Sequence, residues 1–450
     1  MRSVSLAPRS GERVGVRGRV AAALCFVAAC ACASTSTTTP SSTSISPSTS
    51  TSTSTPAPAS AGDSGAFVPG AEGAKRYATT VGEDGRAAPP RDELTRALLG
   101  DVRSVARKQR RKVPESDARL DWAMTDLARH VRGDELPALD VVEYLLAHYG
   151  LVEPSPHILL SSVPKRGVAE LSARARGEIA EMLREADIDR VGIGVDRTAD
   201  TIYIALALQE RRVTLLEAVP RRLPSRGRTA IAARIARGLT HPEVVITAPD
   251  GTVREQTPPL LRDGAVRGDL QCAADGRYQV EIVASGTTGS AVLANFPVFC
   301  GVAPPPSAPR GAGVHPAVVT VEEAEKQLLA LINRDRKAAG MAPVVADERL
   351  TAIARAHTQD MVDHDFVGHI SPRTGGPVDR VHRAGLTPTF ISENVGRGYT
   401  AEEAEQVFMS SPGHRANIVD PRPRRVGVAV VFGAPVTGTK PMFVTQLFSN

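Results

Sequence analysis

Two imidazoles and one carboxylate stand out in this chain by residue type and spacing. His369 lies in Gly368-His369-Ile370-Ser371-Pro372, Glu393 in Ile391-Ser392-Glu393-Asn394-Val395-Gly396, and His414 in Ser411-Pro412-Gly413-His414-Arg415-Ala416-Asn417-Ile418. Two neutral imidazoles with a carboxylate form a ligand set for a first-row divalent metal, zinc by preference, with one position left open for water or ligand. The same groups suit acid–base work, because a histidine near a carboxylate titrates close to neutrality. A third arrangement is an acyl-transfer relay of Ser411, His414 and Glu393. It needs serine–histidine contact and an oxyanion hole, and Pro412 removes one backbone donor, which disfavours it. Both histidines fall in Gly/Ser/Pro-rich stretches read as loops, where function concentrates. His357 and His364 lie on an apolar helical stripe and read as packing or rim residues, and His315 and His382 as solvated. Glu393 is expected to face a cleft, with capping of amides near Asn394 as its alternative. Arg415 and Asn417 are expected to pin their loop, and Asp379 and Arg380 to form a structural ion pair.

The elements that must position these groups are legible. Thr320 and Glu323 form a capping box before a helix with Leu328, Leu331 and Ile332 as its buried stripe, stopped at Gly340. Asp347 caps a second helix that carries Leu350, Ala354, His357, Met361 and His364 on one face. Pro377 opens a short third helix, and Thr400 with Glu403 starts a fourth that ends near Ser411-Pro412. Val426, Val428 and Val430, then Phe443, Thr445 and Leu447, alternate as two closing strands. Helices followed by antiparallel strands give an α+β class, read as a layered sandwich.

Residues 320–450 resemble the CAP superfamily (cysteine-rich secretory, antigen 5 and pathogenesis-related proteins), in its bacterial SCP-like branch. The resemblance rests on Leu331-Ile332-Asn333-Arg334-Asp335-Arg336, Phe366-Val367-Gly368-His369-Ile370-Ser371-Pro372, Asp379-Arg380, Ser392-Glu393-Asn394-Val395, the 410–418 segment and the closing strands. It implies an α-β-α sandwich with a surface cleft, lined in eukaryotic members by two His and two Glu. His369, Glu393 and His414 match three of those positions. The second Glu falls at Ser411, and Phe408 stands where Trp is usual. This domain also has no cysteine, unlike the disulfide-rich eukaryotic members.

The rest of the 450 residues is less specific. Apolar residues make up 42% and aromatics only 4%, so the cores are mainly aliphatic. Net charge is +5, but 54 Lys+Arg are set against 49 Asp+Glu, and no aromatic platform accompanies the basic run at 107–112, so no nucleic-acid partner is expected. Arg2, Arg9, Arg13, Arg17 and Arg19 precede an apolar stretch at 20–33, shorter than the ~20 residues of a membrane span, and residues 1–33 read as a signal peptide. Val27-Ala28-Ala29-Cys30 resembles a lipobox that would acylate Cys30 and anchor the chain to a membrane; Ala31-Cys32-Ala33 offers ordinary cleavage instead. Cys272 and Cys300 then form an even pair, expected as a disulfide. Residues 34–91 read as a Ser/Thr/Pro-rich disordered linker. Residues 92–212 form a helical/β module, 213–301 a β-sandwich and 302–319 a linker. Arg119-Leu120 followed by Arg190-Val191 parallels Arg349-Leu350 followed by Arg425-Val426, at leucine-to-valine intervals of 71 and 76 residues, so 92–212 reads as a diverged CAP-like copy without the His and Glu landmarks.

The expected protein is exported, in a bacterial envelope or secreted. Its CAP cleft would bind a divalent metal, a small or apolar ligand such as a lipid or cell-wall fragment, or both, at His369, Glu393, His414 and Ser411. A metal-assisted hydrolase and a purely structural surface protein are the alternatives, binding being preferred because one of the four cleft groups is missing.

Overall fold

The computed structural model describes residues 2–5, 67–78, 87–131, 137–154, 156–165, 168–185, 187–309, 319–434 and 440–450. The apolar stretch at 20–33, Cys30 and the Ser/Thr/Pro tract lie outside the described residues. The class is α+β, with helices and sheets in three successive modules.

The C-terminal module shows how its sequence dictates its layers. Its four-stranded sheet runs Val345–Ala346, Arg425–Phe432, Met442–Ser449, Ile391–Gly398, with the first pair parallel and the others antiparallel. Side chains alternate across a strand. Val426, Val428 and Val430 therefore meet the helices Val321–Ala338 and Ala401–Ser410 through Leu328, Ile332 and Phe408. Ala429 and Leu447 face the helix Glu348–Asp363 through Leu350 and Ala354. The result is helix, sheet, helix. The strand Ile391–Gly398 was not anticipated as a strand, because Ser, Glu, Asn and Gly are poor strand formers; pairing with Met442–Ser449 overrides that preference.

Gly427 permits the close approach of helix to sheet. A Cβ there would lie 2.2 Å from the Leu350 carbonyl carbon. Arg336 is fully buried and has main-chain carbonyls as its acceptors: Ala342 O at 2.8 Å, Ile418 O at 2.7 Å and Asp420 O at 2.8 Å. It ties the first helix to the chain that leaves the His414 segment.

The first module has a sheet ordered Glu115–Ser116, Arg190–Arg197, Thr201–Gln209, His157–Pro164, with Arg2–Ser5 outermost. Apart from that outer strand, the order repeats that of the C-terminal sheet. Glu115 pairs in parallel with Arg190 as Val345 does with Arg425. Asp117 and Asp347 each cap the helix that follows the short strand.

Between the two lies a β-sandwich. Its three-stranded sheet holds Ala265–Gln271, Arg228–Ile235 and Val213–Leu215. The five-stranded sheet holds Val253–Gln256, Thr240–Thr247, Gly276–Gly286, Gly289–Cys300 and Arg222–Leu223. The inner faces enclose an aliphatic core that includes Ile231, Val280, Ile282 and Phe296. Cys272 follows the last strand of one sheet, Cys300 ends a long strand of the other, and the two form the expected disulfide.

Replacing Arg336 by Met removes the donor to these carbonyls, of which Ile418 O is fully buried and worth about 1–3 kcal/mol when left unpaired. Urea unfolding of Arg336→Met should show a loss of about 1–3 kcal/mol; a loss below ~1 kcal/mol would mean that this anchor is dispensable.

Candidate functional site

Glu393 is held from two sides. Its Oε1 lies 3.1 Å from His369 Nδ1 and its Oε2 accepts from Arg380 Nη2 at 2.5 Å. Pairing with Leu447 fixes its strand position, and the side chain is 1% exposed. Burial pushes this carboxyl up, but the His369 hydrogen bond and the Arg380 charge outweigh burial and hold it below its usual range. Arg380 also donates to His369 O at 3.0 Å and Gly375 O at 2.8 Å, locking the turn that presents the imidazole. The expected Asp379–Arg380 ion pair gives way to this arrangement. Asp379 instead accepts from Gly376 N at 2.8 Å, at the start of the helix Pro377–Arg383.

His357 is buried as a packing residue and its Nε2 meets Gly368 O at 2.9 Å. His364 ends its helix at the surface beside Asp360. His414 is not in a loop. The chain kinks at Ser411 and re-forms a helix over Pro412–Ile418, with Pro412 in its first turn and Ser411 as its cap. The ring of His414 stands edge-on to Phe408 at 5.2 Å, and burial pushes its pKa down to about 3. Its Nδ1 has no hydrogen-bond partner among the described residues. Asn394 donates to His414 O at 3.1 Å, and Asn417 to Glu393 O at 3.2 Å, so Asn417 does pin this segment. Arg415 reaches further, to Gly251 O of the sandwich at 2.7 Å.

His369, Glu393, Ser411 and His414 line one cavity of about 310 Å³. Its opposite wall belongs to the sandwich, through Val245, Val283 and Leu293. The sandwich also brings in a residue that sequence reasoning missed. Glu281 is fully buried and its Oε2 accepts from Gly413 N at 3.3 Å. The Ser411 hydroxyl donates to the same carboxyl, so it is turned toward Glu281 rather than toward the His414 ring, and the Ser411–His414–Glu393 relay is not assembled. Burial pushes Glu281 up to about 8. A second cavity of about 310 Å³ lies on the other side of Glu281, Ser411 and His414, between the sandwich, the C-terminal module and the helix Leu139–His148. Glu143 of that helix is raised to about 7 by burial.

The three expected metal ligands do not form one three-ligand set as they stand. Both Glu393 oxygens are engaged by His369 and Arg380, and the one His369 nitrogen that approaches Glu393 is used in that contact. Among the described residues no group of three His, Cys, Asp or Glu is arranged to hold an ion.

Residues 329–448 match the family described as the cysteine-rich secretory protein family, CAP. The C-terminal module is a CAP domain. It is 37% identical over 113 residues to the uncharacterized protein YkwD of Bacillus subtilis, a match spanning 25% of this chain and 44% of that protein. It is 27% identical over 129 residues to the uncharacterized membrane protein YlbC of the same organism, spanning 27% of this chain and 37% of YlbC. The matches therefore cover less than half of either relative. Among solved structures, an outer surface protein of Borrelia burgdorferi is 18% identical, with 29% of this chain and 96% of that one covered at a TM-score of 0.27. A cysteine-rich secretory protein of Staphylococcus aureus is 14% identical, with 54% and 82% covered at 0.25. At those scores neither adds to the assignment, which rests on the family match and the 37% identity.

The CAP domain has two further raised carboxyls, Glu403 at about 7 and Glu405 at about 8, both through burial. A carboxyl whose folded pKa exceeds its unfolded value stabilises the fold fully below the unfolded value, and that contribution is lost as pH rises through the folded one. His414, shifted down, acts only between about 3 and 6.5. Above pH 6.5 the buried carboxyls dominate, so the melting temperature should fall between pH 6.5 and 8.5, and fall less in Glu405→Gln. A flat profile across that interval would show these groups to be ionised in the folded protein.

Proposed function

We propose that this chain is an exported CAP-domain protein that binds a small ligand with an apolar body in the cavity between the CAP cleft and the β-sandwich. The observation that carries this reading is the two-sided lining of that cavity: His369, Glu393 and His414 on one wall, Val245, Val283 and Leu293 on the other. A lipid or a cell-wall fragment fits such a mixture of polar wall and aliphatic wall. The first module, whose sheet has the same strand order as the CAP sheet but carries none of its His or Glu landmarks, is read as a degenerate copy that serves as scaffold. A metal forms no part of the proposal, because Glu393 is already paired. Hydrolysis is not favoured for the same reason: the carboxylate that would act as base is held by a guanidinium.

Export is supported by the arginine-rich start, the apolar stretch at 20–33 and the disulfide. Among the described residues no helix is long and apolar enough to cross a membrane. Attachment through an acylated Cys30 predicts that Cys30→Ser moves the protein from the membrane fraction to the soluble one; equal partition of both forms would refute it.

The ligand reading is tested with the full chain and Nile red, a neutral apolar dye. Saturable, one-site fluorescence enhancement is expected, and Val283→Trp, which fills the cavity, should weaken it at least ~10-fold, the equivalent of about 1.4 kcal/mol. Absence of saturable binding, together with no small molecule released from the native protein on mass spectrometry, would overturn it.

A further inference from the structure

Glu281 and His414 meet where the two cavities share a wall. Each presents one polar atom that no described residue satisfies: Glu281 Oε1 and His414 Nδ1. Leaving such atoms unpaired in a closed site costs about 1–3 kcal/mol apiece. Glu281 Oε2 is already used by Gly413 N–H, and the Ser411 hydroxyl donates to the same carboxyl group. Those two donors mark Oε2 as the carbonyl oxygen of a protonated acid, which leaves Oε1 to carry the proton. The imidazole is neutral, and in its Nε2–H tautomer Nδ1 is free to accept. No cation offsets Glu281. The charged and titratable groups around it are Asp140 and Glu143 on the helix Leu139–His148, Glu153, His157 and Glu210 near it, Glu243 and Glu255 on neighbouring strands, Arg277 on its own strand, and His369 and Glu393 with His414 on the CAP side. The remaining cations of the two linings are engaged elsewhere, Arg212 by Glu210, Arg221 by Ala74 O and His148 O, and Arg397 over the Phe443 ring. Arg277 is exposed, and Arg415 is turned away toward Gly251 O.

We propose that Glu281 and His414 form a two-point recognition site for a neutral secondary amide, with the Glu281 carboxyl donating to the amide carbonyl and His414 Nδ1 accepting from the amide N–H. This rests on the cavity being a ligand site. The substituents on either side of the amide would enter the two cavities, one lined by Val245, Val283 and Leu293, the other by Leu139, Leu146 and Val407. The ligand class is therefore an N-substituted acyl amide with apolar groups at both ends. An ester of the same shape offers the carbonyl but no N–H, and leaves His414 unpaired.

Competition against Nile red on the full chain tests this with N-butylhexanamide and its isostere butyl hexanoate. The amide should bind the wild type about tenfold more tightly than the ester, the value of one hydrogen bond in a closed site. The wild-type affinity for amide and ester alike should fall about tenfold between pH 7 and pH 9, as a carboxyl with pKa about 8 loses its proton, while the preference for the amide, set by His414, persists. Glu281→Gln keeps an acceptor for Gly413 and gains a donor that does not titrate, so its affinity for both ligands should persist at pH 9. His414→Phe should bind amide and ester alike, whereas Glu281→Leu should weaken both and keep the preference for the amide. Equal binding of amide and ester by the wild type, with Nile red still bound, would overturn this inference and leave the cavity reading intact. Loss of Nile red binding itself would remove both. A Glu281→Gln protein that behaves like Glu281→Leu, or a wild-type affinity for the amide indifferent to pH, would also overturn it.

Discussion

The arrangement depends on the β-sandwich being docked against the CAP domain through main-chain groups. Gly413 N–H donates to Glu281, Arg415 reaches Gly251 O, and Ile370 N–H donates to Thr288 O at 2.9 Å. Gly368 allows the last of these, because a Cβ there would lie 2.5 Å from Thr288 O. Backbone partners fix distance and direction more tightly than flexible side chains do, since they bring no rotamer entropy of their own. The price is a carboxyl sealed away from water without a counter-ion, and that is what sets the chemistry of the wall shared by the two cavities.

On the CAP side the electrostatic solution is the opposite. Glu393 is as deeply buried as Glu281, yet it is charged, because Arg380 and His369 converge on it. Two carboxyls of equal burial in one cavity are thus driven to different protonation states by the presence or absence of a guanidinium. The uncharged pair, Glu281 and His414, is suited to neutral polar groups. The charged cluster organises the turn that carries His369.

Much of the CAP domain was legible in its sequence. The caps at Thr320 and Asp347, the Val426-Val428-Val430 alternation and the His369, Glu393 and His414 landmarks depend on local patterns, and local patterns survive in a single chain. The helix at His414 was missed because Ser-Pro-Gly reads as a break, whereas Ser411 caps and Pro412 begins a new turn. Arg380 was assigned to Asp379, its sequence neighbour, when its partner lies on a strand thirteen residues away. Glu281 was out of reach for a stronger reason: it belongs to another module, and no short-range signal says which outer sheet face will be covered. A faint hint existed in Val244-Val245-Ile246, an unbroken apolar run of the kind found in strands buried on both faces.

The disulfide has a mechanical consequence. It closes the sandwich where Gly276 pairs with Cys300, at the base of the long hairpin, while the opposite end at Gly286–Gly289 reaches out to the His369 turn. With ten residues of strand between them, at ~3.3 Å each, the covalent staple and the hairpin tip are separated by about 33 Å. The hairpin is thus clamped at both ends, covalently at Cys300 and by the Ile370 N–H bond to Thr288 O at its tip, so a change in the sandwich's register would be carried straight to the imidazole-bearing turn.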